Sequence, residues 1–225
     1  MLAFGPAQTA RPAFRHDLAA QRITRTVNRW SGASCSISAT RCEFFDNGYS
    51  GLHLSMANGG TCSLDNCSIY RNGRQGVNHT GNSGSTVTIW NCTIANNGER
   101  GVFLQSSSTS VIMNSIIVFN DRGLHRNSGT MNQNYIIVFG NSTADFEGTS
   151  AGTWEVKSNP LFVGAWDFHL QAASPAIDAG ADASAVTTVD LECGARPASG
   201  GWDMGSYEFG SSPPASSAFS VRWVE

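Results

Sequence analysis

The chain has 225 residues, a mass of 23.9 kDa and a formal net charge of −3 at pH 7. Charged residues make up 14% of it, against about 25% in an average soluble domain, while hydrophobic residues at 40% are enough to form a core. This composition excludes a coiled coil and a disordered chain, and so small a net charge gives no field that would recruit nucleic acid.

The apolar segments are short. The longest, such as residues 116–119, fall far below the roughly 20 residues that cross a bilayer, so we expect no transmembrane segment. The first residues lack the basic and apolar regions of a signal peptide. Either the protein is made without a secretion signal, or its natural beginning lies upstream of Met1.

Residues 1–34 predict a capping helix. Apolar residues recur there at steps of three to five with mostly polar residues between them, at Phe14, Leu18, Ile23, Val27 and Trp30. This spacing is typical of the buried face of an amphipathic helix. We expect the helix to cover one end of the structure that follows and to turn its arginines to solvent.

Residues 35–148 contain a repeat of about 25 residues. Cys42, Cys67 and Cys92 recur at this spacing, and several other columns keep the same step. These columns include Asn47, Asn72 and Asn97, Gly51, Gly76 and Gly101, and Leu52, Val77 and Val102. A shorter fourth copy begins at Asn114 and a degraded fifth copy at Asn134.

Each copy has the pattern of short strands joined by tight turns. Apolar residues alternate, as in Val87-Thr88-Ile89, and Asn-Gly pairs supply residues that tolerate a positive φ at a bend. One copy cannot bury its apolar face, but stacked copies can. The period is too short for a propeller blade and lacks the regular leucines of a leucine-rich repeat, so it favours one rung of a parallel β-helix.

The repeated motif resembles the right-handed parallel β-helix family, the architecture of pectate-lyase-like proteins. It runs from Asn66-Cys67-Ser68-Ile69 through Asn72-Gly73 to Gly76-Val77. The resemblance implies an all-β, right-handed, single-stranded parallel β-helix with a helical N-terminal cap and an irregular C-terminal cap. It implies little about activity, because the family includes lyases, hydrolases, epimerases, adhesins and inert surface proteins.

Stacked rungs place equivalent residues above one another, so repeated polar residues predict ladders. One predicted ladder contains Asn66, Asn91, Asn114 and Asn134, and a second contains Asn47, Asn72, Asn97 and Asn120. An amide can donate to one neighbouring rung and accept from the other, which satisfies polar groups at a bend. The cysteine column falls among the apolar positions, so we expect buried thiols there and no metal site.

Residues 149–210 are expected to cap the C-terminal end, and residues 211–225 to form a linker-like tail. The first segment is similar to the closing segment of secreted or surface-attached bacterial β-helix proteins. The similarity rests on the motifs Asn159-Pro160-Leu161-Phe162, Ser174-Pro175-Ala176-Ile177-Asp178-Ala179-Gly180, Arg196-Pro197 and Trp202-Asp203-Met204-Gly205. It implies an extracellular or cell-surface location. The sequence departs from the motif at Glu192-Cys193, where an Asp-Gly turn is expected.

The candidate binding surface lies on the strand after each Asn-Gly turn. The repeat places His53, Asn78, Phe103 and His125 in one outward column. The turn residues beside this column are Arg100, Arg122, Glu99 and Asp121. Rings stack on sugars and arginines pair with carboxylates, so this surface could hold an acidic glycan. The competing interpretation is an ordinary solvated face with Arg100–Asp121 and Arg122–Glu99 ion pairs of little consequence.

His79 stands apart from this surface. It falls in the column of Leu54 and Leu104 and should therefore point inward. We expect a core imidazole that hydrogen bonds to a neighbouring rung.

Enzymes on this fold mostly act on polysaccharides with an acidic cluster, often around Ca²⁺, or with paired carboxylates. The sequence shows neither a pectin-hydrolase signature nor a recognisable Ca²⁺ site, so we expect no cofactor and assign no catalytic residue. Three hypotheses remain open. In the first, the protein is a non-catalytic, monomeric surface β-helix that contacts a polysaccharide or another cell-envelope glycan. In the second, it is a polysaccharide lyase or glycoside hydrolase that acts on an acidic glycan. In the third, it is a fragment of a longer surface protein.

Overall fold

The computed structural model describes the backbone of residues 15–19, 21–24, 29–33, 220–221 and, apart from 58, 82, 83 and 199, residues 36–214. Its described side chains lie within 36–214. All regular secondary structure in these residues is β, and no helix among them is long and apolar enough to span a bilayer. The first nine strands are β1 (Arg15–Ala19), β2 (Gln21–Thr24), β3 (Arg29–Ala33), β4 (Ser36–Thr40), β5 (Glu43–Phe45), β6 (Leu52–Ala57), β7 (Thr61–Asp65), β8 (Ser68–Tyr70) and β9 (Val77–His79). The others are β10 (Thr86–Trp90), β11 (Thr93–Ala95), β12 (Arg100–Leu104), β13 (Thr109–Val118), β14 (Arg122–Arg126), β15 (Thr130–Phe139), β16 (Ala144–Glu147), β17 (Thr153–Val156) and β18 (Ser220–Val221).

The strands pair in parallel between successive turns of a solenoid. Twelve strands form one sheet, and six form the other in the order β16-β14-β12-β9-β6-β3. The register pairs Ser36↔Thr61 and Thr61↔Thr86 keep the full repeat spacing, whereas Arg15↔Ser36, Thr86↔Thr109 and Thr109↔Thr130 span shorter rungs. The parallel β-helix that the repeat predicts is therefore confirmed, with shorter rungs outside the region of perfect repetition.

The predicted N-terminal helix is wrong. The described parts of residues 15–33 form β1, β2 and β3, which pair with β4, β5 and β6 as a further rung. Leu18, Ile23 and Trp30 occupy the register positions of core residues in the next rung. Apolar residues spaced three to five positions apart also occur where short strands alternate with bends. The next rung favours strands here, because its edge offers backbone hydrogen bonds. Phe14 and Val27 lie outside the described residues.

The core consists of stacked columns of apolar side chains. Phe44, Ile69, Ile94 and Ile117 are each 0% exposed, as is the predicted thiol column of Cys42, Cys67 and Cys92. The glycine column is explained by close approach. A Cβ on Gly51, Gly76 or Gly101 would lie 2.5–2.6 Å from an isoleucine Cγ2. A side chain at these positions would therefore push the bend away from the core.

The second asparagine ladder is confirmed. Asn47 Nδ2 donates to Asn72 Oδ1 at 2.8 Å, and the pattern continues through Asn97 and Asn120 to Asn141 at 2.9, 3.0 and 3.1 Å. Asn47, Asn72, Asn97 and Asn120 are each at most 3% exposed. The ladder satisfies buried amides that would otherwise cost free energy.

The first asparagine column is present in part, since Asn134 does not belong to it, but it does not form the predicted ladder. Asn66 Nδ2 donates to Thr187 and Val189, Asn91 Nδ2 to Asp65 and Asn114 Nδ2 to Ala181. Asn66, Asn91 and Asn114 share a positive φ of 47–49° at the first bend of their rungs. The register pairs Asn134 with Met113, which places Tyr135 at the next bend with a φ of 52°. In this shortened rung the residue at the bend is therefore Tyr135, one position after the asparagine that the sequence predicts.

The C-terminal segment packs along the flank of the solenoid, which corrects the expectation of an end cap. Asn114 exchanges two hydrogen bonds with Ala181, at 2.8 and 2.9 Å, and Thr93 contacts Ser206 at 3.1 Å. Phe168 and Met204 bury the outward residues Tyr70 and Ile116. The segment lies there because β8, β11 and β13 carry outward apolar side chains that it buries. The solenoid itself extends beyond residue 148, since β17 pairs with β15.

A buried ion pair lies within this segment. Arg196 Nε is 3.0 Å from Glu208 Oε2, and the two side chains are 0% and 1% exposed. Arg196 also donates to Asn66 Oδ1 at 3.0 Å, which ties the segment to the solenoid. At the atypical Glu192-Cys193 turn, Cys193 adopts the φ of 71° that glycine would favour.

Part of the tail is not a free linker, because β18 pairs in parallel with β2. The strand β18 follows β2 at the end of the sheet order, so it pairs backbone groups that β2 would otherwise leave open at the edge. Residues 215–219 and 222–225 lie outside the described part of the chain.

Candidate functional site

The six-stranded sheet brings the predicted column together. His53, Asn78, Phe103, His125 and, in addition, Glu147 are in register across β6, β9, β12, β14 and β16. We call these five residues the central column. Their role in glycan binding stays a prediction. The sequence analysis missed Glu147 because the fifth repeat is degraded, although it lies one rung after His125.

The central column faces outward but is mostly covered. Asn78, Phe103 and His125 are 3%, 7% and 8% exposed. The Arg100 guanidinium lies 4.3 Å from the centre of the Phe103 ring, and Gln105 Nε2 donates to Asn78 Oδ1 at 2.7 Å. Long side chains at the flanking positions thus fold over the column, so ligands would first meet the charged groups above it.

Six charged side chains run across the rungs on the face of the column, and one of them, Glu147, also belongs to the column. We call them the charged row, which consists of Arg74, Glu99, Arg100, Asp121, Arg122 and Glu147. Their side chains are 20–43% exposed, and the row holds three cations and three anions. The row therefore has no net charge.

The ion pairs differ from those considered in the sequence analysis. Glu99 pairs with Arg74 at 2.7 Å and with Arg100 at 3.0 Å. Arg122 lies 2.5 Å from both Asp121 and Glu147. Glu99–Arg100 and Asp121–Arg122 thus join neighbours in the sequence. The ion pairs found among the described residues do not include Arg100–Asp121 or Arg122–Glu99.

His125 lies between the charged row and the Phe103 ring. Arg100 Nε donates to His125 Nδ1 at 2.7 Å, and the two ring centres are 4.6 Å apart. Burial lowers the pKa of His125, and Glu147 only partly opposes this effect. The imidazole is therefore neutral near pH 7. Because Nδ1 accepts from Arg100, the ring proton lies on Nε2.

Tyr49 and Arg74 extend the site toward His53, and the sequence analysis missed both. Arg74 lies 4.6 Å from the centre of the Tyr49 ring, and the Tyr49 and His53 rings stack at 6.3 Å. Tyr49 is 36% exposed and is the accessible ring of this face. The recurrence of Tyr49, Arg74 and Glu99 at the repeat spacing was the available signal.

His79 is the core imidazole that the sequence predicted. Its side chain is 0% exposed, with Nδ1 3.2 Å from Ser110 Oγ and Nε2 3.0 Å from Ser85 Oγ. Burial lowers its pKa to about 4. A neutral ring with two hydroxyl partners explains its place in a leucine column.

Within the described part of the chain, no group of three or more His, Cys, Asp or Glu side chains is arranged to hold a metal ion. Asp121 is ionised, because a hydrogen bond from Thr143 holds its pKa below the usual value. A glycosidase needs a carboxylic acid with a raised pKa beside its carboxylate. Asp121 does not provide that acid.

Comparison with known proteins identifies the fold family. The model of the family described as right handed beta helix region matches residues 28–162. No curated protein matches the chain. Among solved structures, the crystal structure of pectate lyase Pel9A is similar at 17% sequence identity and a TM-score of 0.43, over 83% of this chain and 69% of that chain. The family match spans more than half of the residues, and the protein belongs to the right-handed beta helix region family.

Proposed function

We propose that this protein is a non-catalytic, polysaccharide-binding β-helix that acts outside the cell or on its surface. The observation that carries the proposal is the charged row, whose Arg100 covers the Phe103 ring and bonds to His125 and which continues across successive rungs. The extracellular location rests on the resemblance of the C-terminal segment to that of secreted and surface-attached proteins.

The chemistry of the row suits sugar hydroxyls. Guanidinium and carboxylate groups present paired donors and paired acceptors, which match neighbouring hydroxyl groups. These side chains are partly exposed, so a ligand can reach them without unfolding the surface. A linear polysaccharide repeats its hydroxyls along its length as the solenoid repeats its side chains from rung to rung.

The charge of the row favours an uncharged polysaccharide over a polyuronate. Each of Arg74, Arg100 and Arg122 already pairs with a carboxylate. An acidic glycan would have to displace Glu99, Asp121 or Glu147 and would meet their negative charge. The acidic-glycan interpretation of the sequence therefore becomes the second candidate, in the form of a lyase or hydrolase.

A glycan array tests the proposal. We expect the wild type to bind at least one neutral polysaccharide and the Arg100→Ala/Arg122→Ala double variant to lose that binding by about tenfold or more. The matched control is Arg71→Ala, which removes another half-exposed arginine outside the row. Arg71 pairs with Asp46 at a distance of 2.7 Å. Absence of binding to every polysaccharide, or equal binding by the double variant, would contradict the proposal.

The catalytic alternative has its own assay. Incubation with pectate, alginate and neutral polymers would generate unsaturated products if the protein were a lyase, and new reducing ends if it were a hydrolase. We expect neither absorbance of unsaturated ends nor new reducing ends. Turnover that Arg100→Ala/Arg122→Ala abolishes would replace the binding function with an enzymatic one.

A further inference from the structure

An aromatic pair occupies the first bend of the last two rungs. This bend has a positive φ in each rung from Arg41 onward, and asparagine provides it in three of them, at Asn66, Asn91 and Asn114. The next two positions are Tyr135 and Trp154, with φ values of 52° and 57°. Large side chains adopt this conformation rarely, because the Cβ crowds the carbonyl oxygen. Asparagine is thus the commonest residue at this bend, and Arg41 shows that the fold also accepts a long side chain there.

Burial does not explain the tryptophan. Trp154 is 67% exposed, the highest fraction among the exposed large hydrophobic residues of the described chain. Tyr135 is half-buried and packs against the second apolar cluster beneath the C-terminal segment. An exposed indole at a backbone position that disfavours it contributes little to stability.

The geometry of the pair leaves one indole face open. The Tyr135 and Trp154 rings are 5.9 Å apart and inclined by 16°, so the tyrosine supports one face of the indole. Among the described strands, β17 pairs with β15 alone and ends its side of the sheet. No described rung follows to stack on the other face.

The residues beside the open face are small, and the two charged groups nearby pair with each other. Ser150, Ala151 and Thr153 are exposed beside it, and the nearby Lys157 lies 3.6 Å from the Glu155 carboxylate. A single ring in a polar setting is far too small for a stable protein interface, which buries on the order of 1,000 Å² or more. It fits one sugar ring, whose C–H face packs on an aromatic face while its hydroxyls stay in water.

We propose that Trp154, supported by Tyr135, is a second carbohydrate platform that stacks on a neutral pyranose ring. It lies at the C-terminal end of the solenoid on the other sheet and does not depend on the charged row. A polysaccharide could therefore be held at two separate points of one molecule, and either site can fail without the other.

The decisive variant is Trp154→Asn, which installs the residue found at this bend in three other rungs. If the indole serves binding, the variant should melt at or above the temperature of the wild type. In the Arg100→Ala/Arg122→Ala background it should lose the remaining binding of neutral oligosaccharides by about tenfold or more. Trp166→Ala is the matched control, because Trp166 is 51% exposed but is already stacked on Tyr70. We expect this control to bind as the wild type does.

A site-specific readout separates the platform from the charged row. In protein labelled with 5-fluorotryptophan, the ¹⁹F signal of Trp154 is the one missing from Trp154→Asn. Xylo-, gluco-, galacto-, manno- and chito-oligosaccharides are titrated in turn. At least one should shift this signal in the wild type and equally in Arg100→Ala/Arg122→Ala.

Four outcomes would overturn the platform. They are a signal that moves with none of these sugars, unchanged binding by Trp154→Asn in the Arg100→Ala/Arg122→Ala background, a clear fall in the melting temperature of Trp154→Asn, or a Trp154 shift that depends on protein concentration without sugar. The last would assign the indole to self-association. A shift that persists in the arginine double variant while the array shows no role for the row would refute the proposed function and leave the platform standing.

Discussion

Single asparagines hold the bends of this solenoid together. Asn97 Oδ1 accepts from the backbone and side-chain nitrogens of Asn72, and Asn97 Nδ2 donates to Asn120 and to the Ile69 carbonyl. All the amide's hydrogen-bonding groups are thus used in a site where Asn97 is 3% exposed. The side chain does more than favour a turn, because it links three rungs.

We predict that Asn97→Ala lowers the free energy of unfolding by about 2–3 kcal/mol, because it leaves buried partners on two rungs unsatisfied. Asn132→Ala, at an exposed position of β15, is the control and should change the stability little. Urea denaturation measures both. Equal stabilities of the two variants would show that the ladder contributes nothing.

The buried imidazole predicts a pH effect of defined sign. Burial lowers the pKa of His79 to about 4 in the folded protein, from 6.5 for an ordinary histidine. A lowered pKa means that folding opposes protonation, so stability is lost as the pH falls from about 6.5 to about 4. Relative to His79→Leu, the wild type should lose about 3 kcal/mol between pH 7 and pH 4. A stability difference that stays constant across this range would contradict a buried, neutral His79.

At this scale the sequence was a good guide wherever a column repeats. The constant repeat spacing alone identified the ladder at Asn72 and Asn97 and the inward position of His79. It failed at Asn134 and Glu147, where the rung length changes and the register can no longer be counted. It also gave no indication that Arg100 would fold over Phe103, because side-chain cover depends on the conformations of long residues.

Among the elements, the C-terminal segment shows how a non-repetitive chain docks on a repetitive one. Its apolar residues cover the outward faces of β8, β11 and β13, and Arg196 reaches across to Asn66. The sequence identified the segment by its motifs but placed it over the end. Such long-range contacts occur once and leave no periodic trace. The N-terminal strands were missed for a related reason, since their spacing suits a helix as well as an interrupted rung.

The buried ion pair predicts how firmly this segment docks. Arg196→Met removes the cation beside Glu208 and leaves a buried carboxylate without its partner, so we expect a loss of about 3–5 kcal/mol at pH 8. The double variant Arg196→Met/Glu208→Gln should recover part of that loss because the uncompensated charge is gone. Urea denaturation followed by tryptophan fluorescence reports on both. A double variant less stable than Arg196→Met would contradict this account.

Glu208 adds a pH dependence opposite to that of His79. Burial raises its pKa to about 7 from 4.5, so the contribution of this group to stability falls as the pH rises through that range. The two effects partly cancel in the wild type. The stability of the wild type can therefore change little with pH although each group has a strong effect. The variants His79→Leu and Glu208→Gln each remove one of the two effects.

At the scale of the whole molecule, the low charge content follows from the architecture. Every side chain on a β-helix has an equivalent neighbour one rung away, and like charges in one column would repel. Uncharged asparagine and glycine fill most repeated positions. Some stacked charges alternate in sign, as in Asp46 with Arg71 and Arg74 with Glu99. Arg100 and Arg122 are an exception, because they are like charges in direct register, and carboxylates of Glu99, Asp121 and Glu147 compensate them.

The central claim is that this row contacts a polysaccharide. Its most direct test is the NMR signal of each arginine Nε–H group during titration with the neutral polysaccharide fragment that binds best. We expect the signals of Arg74, Arg100 and Arg122 to shift, with Arg71 and the buried Arg196 unchanged. Shifts confined to other arginines, or none at saturating fragment, would contradict the account.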